Sequence, residues 1–310
     1  MGPRGVVEGA REELLVDNAG FLAMETLPRR ILLVGGGYIA AEFSHIAARA
    51  GAKVTVVQRG PRVLPAFEPE LVAWLMETFA SLGVEVRTST IVTSVEQCGE
   101  AFAVQMAGEG AGSIEADLVV HAAGRKPALD RLDLAAGQVA MEGDRLRLNQ
   151  FLQSVTNPAV YAAGDAAQMG PPLTPVSSHD AKVAAANLLN GNQRKPDYRG
   201  VPSVAFTLPP IAAVGMREDE ARRSGLAYRV KSEQSSRWFT ARRLAEPVYG
   251  YKTLVEKGSG RILGAHLVGP HAEEVINVFG LAIRHGLTAD DLKSTMFAYP
   301  TGASDIGYML

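Results

Sequence analysis

The sequence predicts an α/β protein in which a parallel βαβ unit is followed, beyond residue 197, by a separate α+β segment. Three observations predict it. Ile31, Leu32, Leu33 and Val34 form an unbroken β-rich apolar run, the pattern of a strand buried on both faces. That run enters Gly35, Gly36 and Gly37, and then an Ala-rich stretch, 39–50, which reads as a helix stopped by Gly51. A second strand, 53–57, follows and completes the unit.

Taken in order, residues 1–28 are mixed and weakly periodic, and Gly2, Pro3, Gly5 and Gly9 suggest an irregular lead-in. Leu71, Trp74, Leu75, Phe79 and Leu82 fall at helical spacing over 69–82, with Gly83 as the stop. Residues 84–86 alternate as a short strand. Runs at 91–95, 101–106 and 113–115 read as an antiparallel meander with Gly-rich turns, one of which holds Cys98. Residues 117–123 read as a buried parallel strand ending at Gly124. A further strand, 157–162, leads to Gly164 and Asp165, and a helix over 176–189 has Pro175 in its first turn. Residues 190–197 form a polar linker. Beyond it, strands are expected at 203–206, 228–232, 251–256 and 262–268, and helices at 217–223, 272–285 and 289–293.

Composition bounds the function. The chain has 310 residues, 47% of them hydrophobic, and a formal net charge of −2. That is enough for two domains or so. Near-neutral charge argues against nucleic acid or an anionic membrane as the main partner. No apolar run reaches the ~18 residues of a membrane span, and no apolar signal segment follows Met1. The one cysteine, Cys98, excludes an intrachain disulfide; alone in a turn, it reads as incidental. A reducing, cytoplasmic setting fits. His45, His266, His271 and His285 have no metal-ligand company in the sequence.

The glycine turn carries the chemistry. Gly35, Gly37 and Ala40 give G-x-G-x-x-A. The first glycine permits a tight turn, the second lets a pyrophosphate reach the backbone, and the small third residue lets helix and strand pack closely. The helix start adds free N–H groups and a positive dipole end. The bland alternative is a tight strand-to-helix turn without a ligand. The second strand ends in Gln58, Arg59 and, after Gly60 and Pro61, Arg62, with no acid to hold a ribose 2′-hydroxyl. Guanidinium groups suit a 2′-phosphate, which favours NADP(H) over NAD(H); otherwise both arginines are solvated loop residues. Ligands in open α/β sheets lie off the carboxyl ends of strands. Gly124 is therefore a candidate to pass under the dinucleotide, and Arg125 reads equally as a phosphate ligand or a helix-end charge. Asp165 reads as a cofactor residue or as a local cap.

These motifs resemble the class I flavoprotein pyridine nucleotide-disulfide oxidoreductases, the family of glutathione reductase, dihydrolipoamide dehydrogenase and mercuric reductase. The resemblance runs from about Gly9 to Leu310. It implies a Rossmann-like NAD(P)-binding domain at 29–148, a remnant of an FAD domain at 1–28 and 149–197, and an α+β dimerisation domain at 198–310, assembled as a homodimer. By resemblance, Gly35, Gly36, Gly37, Tyr38, Ile39, Ala40 and Glu42 meet the dinucleotide. Tyr38 gates the flavin face and Glu42 lies near the nicotinamide. Gln58, Arg59 and Arg62 fall at the 2′-phosphate end, and Gly124 and Arg125 in the family's Gly-Arg-x-Pro turn. Gly164 and Asp165 match the second FAD fingerprint, with Asp165 on the ribityl chain. Leu173, Thr174 and Pro175 would lie at the flavin pyrimidine. Residues 201–207, with Ala213, Val214 and Gly215, resemble the opening of the dimer-interface domain.

Two departures qualify this. Family members carry, upstream, a first FAD glycine motif and a redox cysteine pair, and this sequence shows neither, so an N-terminally truncated form is expected. Tyr299 stands at the family's histidine acid/base position, Ser304 at that of its orienting glutamate, with Asp305 one residue later. A tyrosine, titrating near ~10, is a poor base at neutral pH. The Tyr299–Pro300 bond is expected to be cis, as in the family's loop. The implied activity is hydride transfer from NADP(H) to FAD in redox homeostasis, with an unidentified small-molecule or protein electron acceptor. The alternative is an NADP(H)-binding and dimerising chain without chemistry.

Overall fold

The computed structural model describes residues 2–3 and 12–310, so Gly5 and Gly9 of the lead-in lie outside the described residues. The chain divides into two compact units: Gly5–Gly124 with Pro202–Leu310, and Met1–Arg4 with Arg125–Val201.

The first half of the larger unit is a parallel sheet. Its strands are β1 (Arg30–Val34), β2 (Lys53–Val57), β3 (Glu85–Arg87) and, after a meander, β7 (Leu118–His121). They lie in the order β3-β2-β1-β7, with Ile31 opposite both Val54 and Leu118. The central β1 is apolar throughout because both faces are covered. Ile31 and Leu33 pack with helices α2 (Tyr38–Arg49) and α3 (Pro69–Ser81). Leu32 and Val34 pack with the three-stranded meander β4 (Thr90–Cys98), β5 (Ala101–Gly108) and β6 (Gly112–Ala116). The period of two along the strand divides the two cores. Cys98 is the exposed last residue of β4 rather than a turn residue.

The lead-in is more ordered than its sequence suggested. Val16 bridges to Val120 as a further parallel pair. Helix α1 (Asn18–Leu22) is N-capped by Asp17, and its Phe21 stacks on Phe43 with ring centroids 4.3 Å apart. Five helical residues are too few to print a period.

In the smaller unit, α4 (Thr174–Asn190) begins two residues earlier than expected and ends at Gly191 in the left-handed region (φ 79°). It packs through Val183 on Leu152 and Ala167. The strand expected at 157–162 is not a strand. Among the described residues it makes one isolated bridge, Gln153 to Tyr161, and a 3-10 turn, Gly164–Ala166, follows. Only Val160 and Tyr161 of this run favour a strand, and without a ladder partner two residues do not make one.

The larger unit resumes with an antiparallel sheet. In chain order its strands are β8 (Ser203–Ala205), β9 (Ile211–Gly215), β10 (Tyr228–Gln234), β11 (Gly250–Glu256) and β12 (Ile262–Val268). They lie in the order β8-β9-β12-β11-β10. Helix α5 (Glu218–Arg223) follows β9, and α6 (Phe239–Arg243) follows β10. Helix α7 (Ala272–His285) covers the sheet with Val275, Ile276 and Phe279, and α8 (Ala289–Ser294) and α9 (Ile306–Met309) close the end. Strand β9 and helices α6 and α9 were not expected as elements.

The two halves of this unit dock through α3. The Trp74 ring lies 2.5 Å from where a Cβ on Gly250 would sit, so only glycine fits there. Beside it, the nearly buried Lys252 ammonium lies 2.5 Å from Glu218 Oε2, 3.3 Å from Glu70 Oε2 and 3.5 Å from Glu68 Oε2. Glu68 in turn accepts the Glu218 amide at 2.6 Å.

Leu33 is 0% exposed at the centre of the parallel sheet. Leu33→Ala is expected to cost about 2–5 kcal/mol, read as a fall in urea midpoint with an unchanged slope.

Candidate functional site

The turn after β1 is built backbone against backbone. Gly35 (φ 119°) donates to the Val57 carbonyl at 2.8 Å. A Cβ on it would stand 2.4 Å from the Ala122 carbonyl oxygen and 2.7 Å from the Ala123 nitrogen. Gly36 accepts the Leu64 amide at 2.6 Å, and a Cβ there would press on the Gln58 side chain at 3.0 Å. Gly37 is different: nothing lies within 4 Å of its Cβ position. It N-caps α2 with no side-chain cap bond. The first amides of α2 therefore open outward, without an internal acceptor, beside bare main chain. Ala40 is 0% exposed and lets the helix close on the sheet; Ile39 is half-buried. This cradle fits a pyrophosphate.

The loop after β2 treats its arginines differently. Arg62 donates to the carbonyls of Pro65 (3.0 Å) and Phe67 (3.4 Å), and Arg217 also reaches Pro65 (3.2 Å). Gln58 donates to the Arg62 carbonyl at 3.3 Å. Arg62 is thus committed to holding the loop. Arg59 is exposed and has no side-chain partner among the described residues.

Helix α2 carries three further polar groups. Tyr38 is half-buried, its ring edge-on to Phe67 at 5.4 Å; burial pushes the phenol upward, opposed by a hydrogen bond with Ser203. Glu42 Oε1 accepts the Phe206 amide at 2.9 Å, and His45 Nδ1 accepts the Leu208 amide at 3.2 Å. One helix face therefore accepts two alternate N–H groups of the segment after β8. Because an amide donates to Nδ1, the imidazole is neutral with its proton on Nε2. That atom is buried without a hydrogen-bond partner among the described residues, and the ring meets Phe79 edge-on at 4.5 Å. Burial, reinforced by the Arg49 charge, lowers the His45 pKa to about 4. Sequence reading left His45 without a role, since partners more than 160 residues away leave no local signal.

Gly124 (φ 109°) ends the run after β7. Arg125 is exposed and begins the smaller unit. Within that unit, Gly164 (φ 59°) opens a 3-10 turn whose next residue, Asp165, is half-buried and makes no side-chain hydrogen bond among the described residues. Leu173 N-caps α4 with no side-chain cap bond, and Thr174 and Pro175 are exposed at the helix start. Three residues after Asp165, Gln168 Oε1 is buried with no hydrogen-bond partner among the described residues. An acid, open helix amides and an orphaned acceptor suit part of a hydroxylated, anionic cofactor.

At the C-terminus the Tyr299–Pro300 bond is cis, as expected, and so is Leu208–Pro209. Tyr299 is 75% exposed and stacks on Phe239, centroids 6.2 Å apart. Asp305 is buried and accepts the Tyr249 hydroxyl at 2.7 Å, while Ser304 caps the turn with Thr301. Neither residue orients Tyr299. Among the described residues no group of three or more His, Cys, Asp or Glu is placed to hold a metal, and no helix is long and apolar enough to cross a membrane.

Comparison with known proteins places these features. A family model described as pyridine nucleotide-disulphide oxidoreductase matches residues 4–181, and that of the family's dimerisation domain matches 201–309. The chain is 47% identical over 180 residues to an uncharacterized 19.7 kDa protein in a mercuric resistance operon of Staphylococcus aureus, covering 58% of this chain and all of that one. It is 33% identical to a mercuric reductase of Staphylococcus aureus, covering 97% of this chain and 55% of that protein. A dihydrolipoyl dehydrogenase of Bacillus subtilis is 31% identical, with 93% and 62% covered. The chain thus spans between about half and three-fifths of the length of these two enzymes. Among solved structures, a Cu(II) complex of the HOCl-induced flavoprotein disulfide reductase RclA from Escherichia coli superposes with a TM-score of 0.89 at 25% identity. It covers 100% of this chain and 70% of that one. LpdA from Mycobacterium tuberculosis gives 0.87 at 25% identity, with 99% and 67% covered.

The His45 geometry has a pH signature. Its folded pKa, about 4, lies below the ordinary 6.5, so the unfolded chain binds the extra proton first. Stability from this site is complete above pH ~6.5 and is lost as pH falls toward 4, by on the order of 3 kcal/mol in all. In His45→Gln, urea midpoints measured between pH 7 and 4.5 are expected to fall less steeply than in the wild type.

Proposed function

The chain belongs to the pyridine nucleotide-disulphide oxidoreductase family, and from that premise we propose that it binds NADP(H) at the Gly35–Gly37 turn and serves an FAD-dependent oxidoreductase reaction as a homodimer. The family is FAD- and pyridine nucleotide-dependent. When bound, the dinucleotide supplies a hydride to the flavin. The residues of this chain position and discriminate. The α2 amides beside Gly37 receive the pyrophosphate, and Tyr38 covers the site's mouth. Glu42, held by the Phe206 amide, is the carboxylate for the nicotinamide end. Arg59 takes the 2′-phosphate, with Gln58 lying against the turn where a ribose-binding acid would otherwise stand. Gly124 lies at the second approach of the dinucleotide. Asp165 accepts from the flavin's hydroxylated chain, and Leu173, Thr174 and Pro175 present the α4 start to its ring. A role in redox homeostasis follows from such chemistry.

The observation that carries the reading is the open space at Gly37 together with an exposed Arg59 that has no side-chain partner among the described residues. A second reading, binding and dimerisation without turnover, is favoured by the C-terminal loop. There Tyr299 stacks on Phe239 and the buried Asp305 is taken by Tyr249, so among the described residues no carboxylate supports an acid/base at that position. NADPH oxidation with a quinone or dye acceptor in the presence of FAD separates the two: consumption supports the first reading, tight binding without consumption the second.

Nucleotide titration by NAD(P)H fluorescence tests the site. Arg59→Gln is expected to weaken NADPH by about tenfold or more, with NADH within about twofold. Equal weakening of both, or a wild type preferring NADH, would overturn the 2′-phosphate assignment. Gly37→Ala, at an unstrained φ of −87° with empty space around it, is expected to keep the melting temperature and lose about tenfold or more in affinity for either nucleotide.

A further inference from the structure

In the smaller unit one carboxylate is wholly enclosed and still without a role. Asp180, midway along α4, is 0% exposed. Its Oδ2 accepts the Gly164 amide at 3.0 Å and its Oδ1 accepts the Tyr198 hydroxyl at 2.9 Å. No ion pair reaches it among the described residues. A carboxylate taken out of water must be met by directed donors, and such charge-assisted bonds are roughly twice as strong as neutral ones.

The surroundings are built around this pair of bonds. Gly164 lies directly on α4: a Cβ there would stand 2.2 Å from Ser177 Oγ, three residues before Asp180 on the same helix face. The Tyr198 ring fills the space 2.6 Å from a Cβ on Gly170. Burial and the Asp180 charge push the Tyr198 phenol well above its ordinary range, which keeps it a donor. The loop that returns Tyr198 to the helix is itself fastened. Asn187 donates to the carbonyls of Phe151 (3.1 Å) and Arg194 (2.8 Å) and accepts the amides of Gln193 (3.1 Å) and Arg194 (2.9 Å). His179 accepts the Asp197 amide at 3.0 Å. The Asp180 bond ends on Gly164, the residue before Asp165, whose own carboxylate makes no side-chain hydrogen bond among the described residues.

We propose that Asp180 is the positioning residue of the Gly164–Asp165 turn, with Tyr198 fixing Asp180, so that Asp165 is presented to the hydroxyl groups of a bound flavin's side chain. The ligand half of this rests on the flavin reading above; the positioning half rests on the geometry alone. Asp180→Leu keeps the branched shape in a somewhat larger side chain and leaves the Gly164 amide without its acceptor. Asp180→Asn restores one, because its oxygen accepts from Gly164 while its NH2 group donates to the Tyr198 oxygen. Tyr198→Phe removes only the outer bond.

Amide hydrogen exchange over residues 161–168, FAD fluorescence titration and NADPH titration on the same samples test it. In Asp180→Leu, exchange across the turn and the FAD dissociation constant are each expected to rise about tenfold or more, with NADPH affinity within about twofold. Asp180→Asn recovers most of both, and Tyr198→Phe falls between. Unchanged exchange in Asp180→Leu overturns the positioning. A loosened turn with undiminished FAD affinity overturns its link to the ligand. A wild type that takes up no FAD overturns the flavin reading, while the exchange result still decides what Asp180 holds. If Asp180→Leu does not fold, Tyr198→Phe decides, and wild-type exchange and FAD affinity in it overturn the proposal.

Discussion

The structure depends on how closely two main chains meet at Gly35. Strands β1 and β7 run parallel with Val34 opposite His121, and the Ala122 amide donates back to the Val34 carbonyl at 2.8 Å. The strand ends are thereby locked side by side, and the 2.4 Å from a hypothetical Cβ to the Ala122 oxygen leaves room for a hydrogen alone. Backbone atoms cannot step aside as a flexible side chain can. The direction in which the chain leaves the sheet is therefore fixed, and with it the axis of α2. The loop that carries Arg59 hangs from the same turn through the Leu64 amide on the Gly36 carbonyl. One steric condition sets the open turn at Gly37 and the arginine-bearing loop together.

From that helix the order passes onward. Glu42 and His45 are three residues apart on α2 and accept from amides two apart in the segment after β8. A helix face thus does the work of a neighbouring strand, meeting N–H groups that no ladder satisfies there. The requirement that His45 stay neutral follows from the same geometry, since a protonated imidazole has no lone pair left to offer. Burial and Arg49 both act in the direction that keeps it so.

Much of this was readable in the residues. The strand at 31–34 stood out because burial on both faces leaves no polar interruption, and the helix at 69–81 because Leu71, Leu75 and Phe79 recur on one side. Strand β9 escaped notice because its Ile-Ala-Ala-Val-Gly run is short and does not alternate. The run at 157–162 misled because Val160 and Tyr161 favour a strand while Asn157, Pro158 and the alanines do not, and among the described residues it finds no ladder. Arg59 and Arg62 looked equivalent, three positions apart in one loop, until the carbonyls of Pro65 and Phe67 separated them. Asp180 was invisible as well, since a charged residue on an Ala-rich helix reads as solvent-facing until Gly164 and Tyr198 are folded onto it.

The Lys252 cluster ties segments from both ends of the larger unit. Lys252 is 7% exposed, and its ammonium faces Glu68, Glu70 and Glu218. Removing either sign alone strands the other in a poorly hydrated place, at a cost of several kcal/mol, whereas exchanging the whole set for well-packed apolar groups can be nearly neutral. Mutation therefore meets a ridge between two tolerated states. In lineages descended from a common ancestor, position 252 and its three acidic neighbours should drift as a linked group, marking in evolutionary time a contact that spans more than 180 residues of chain.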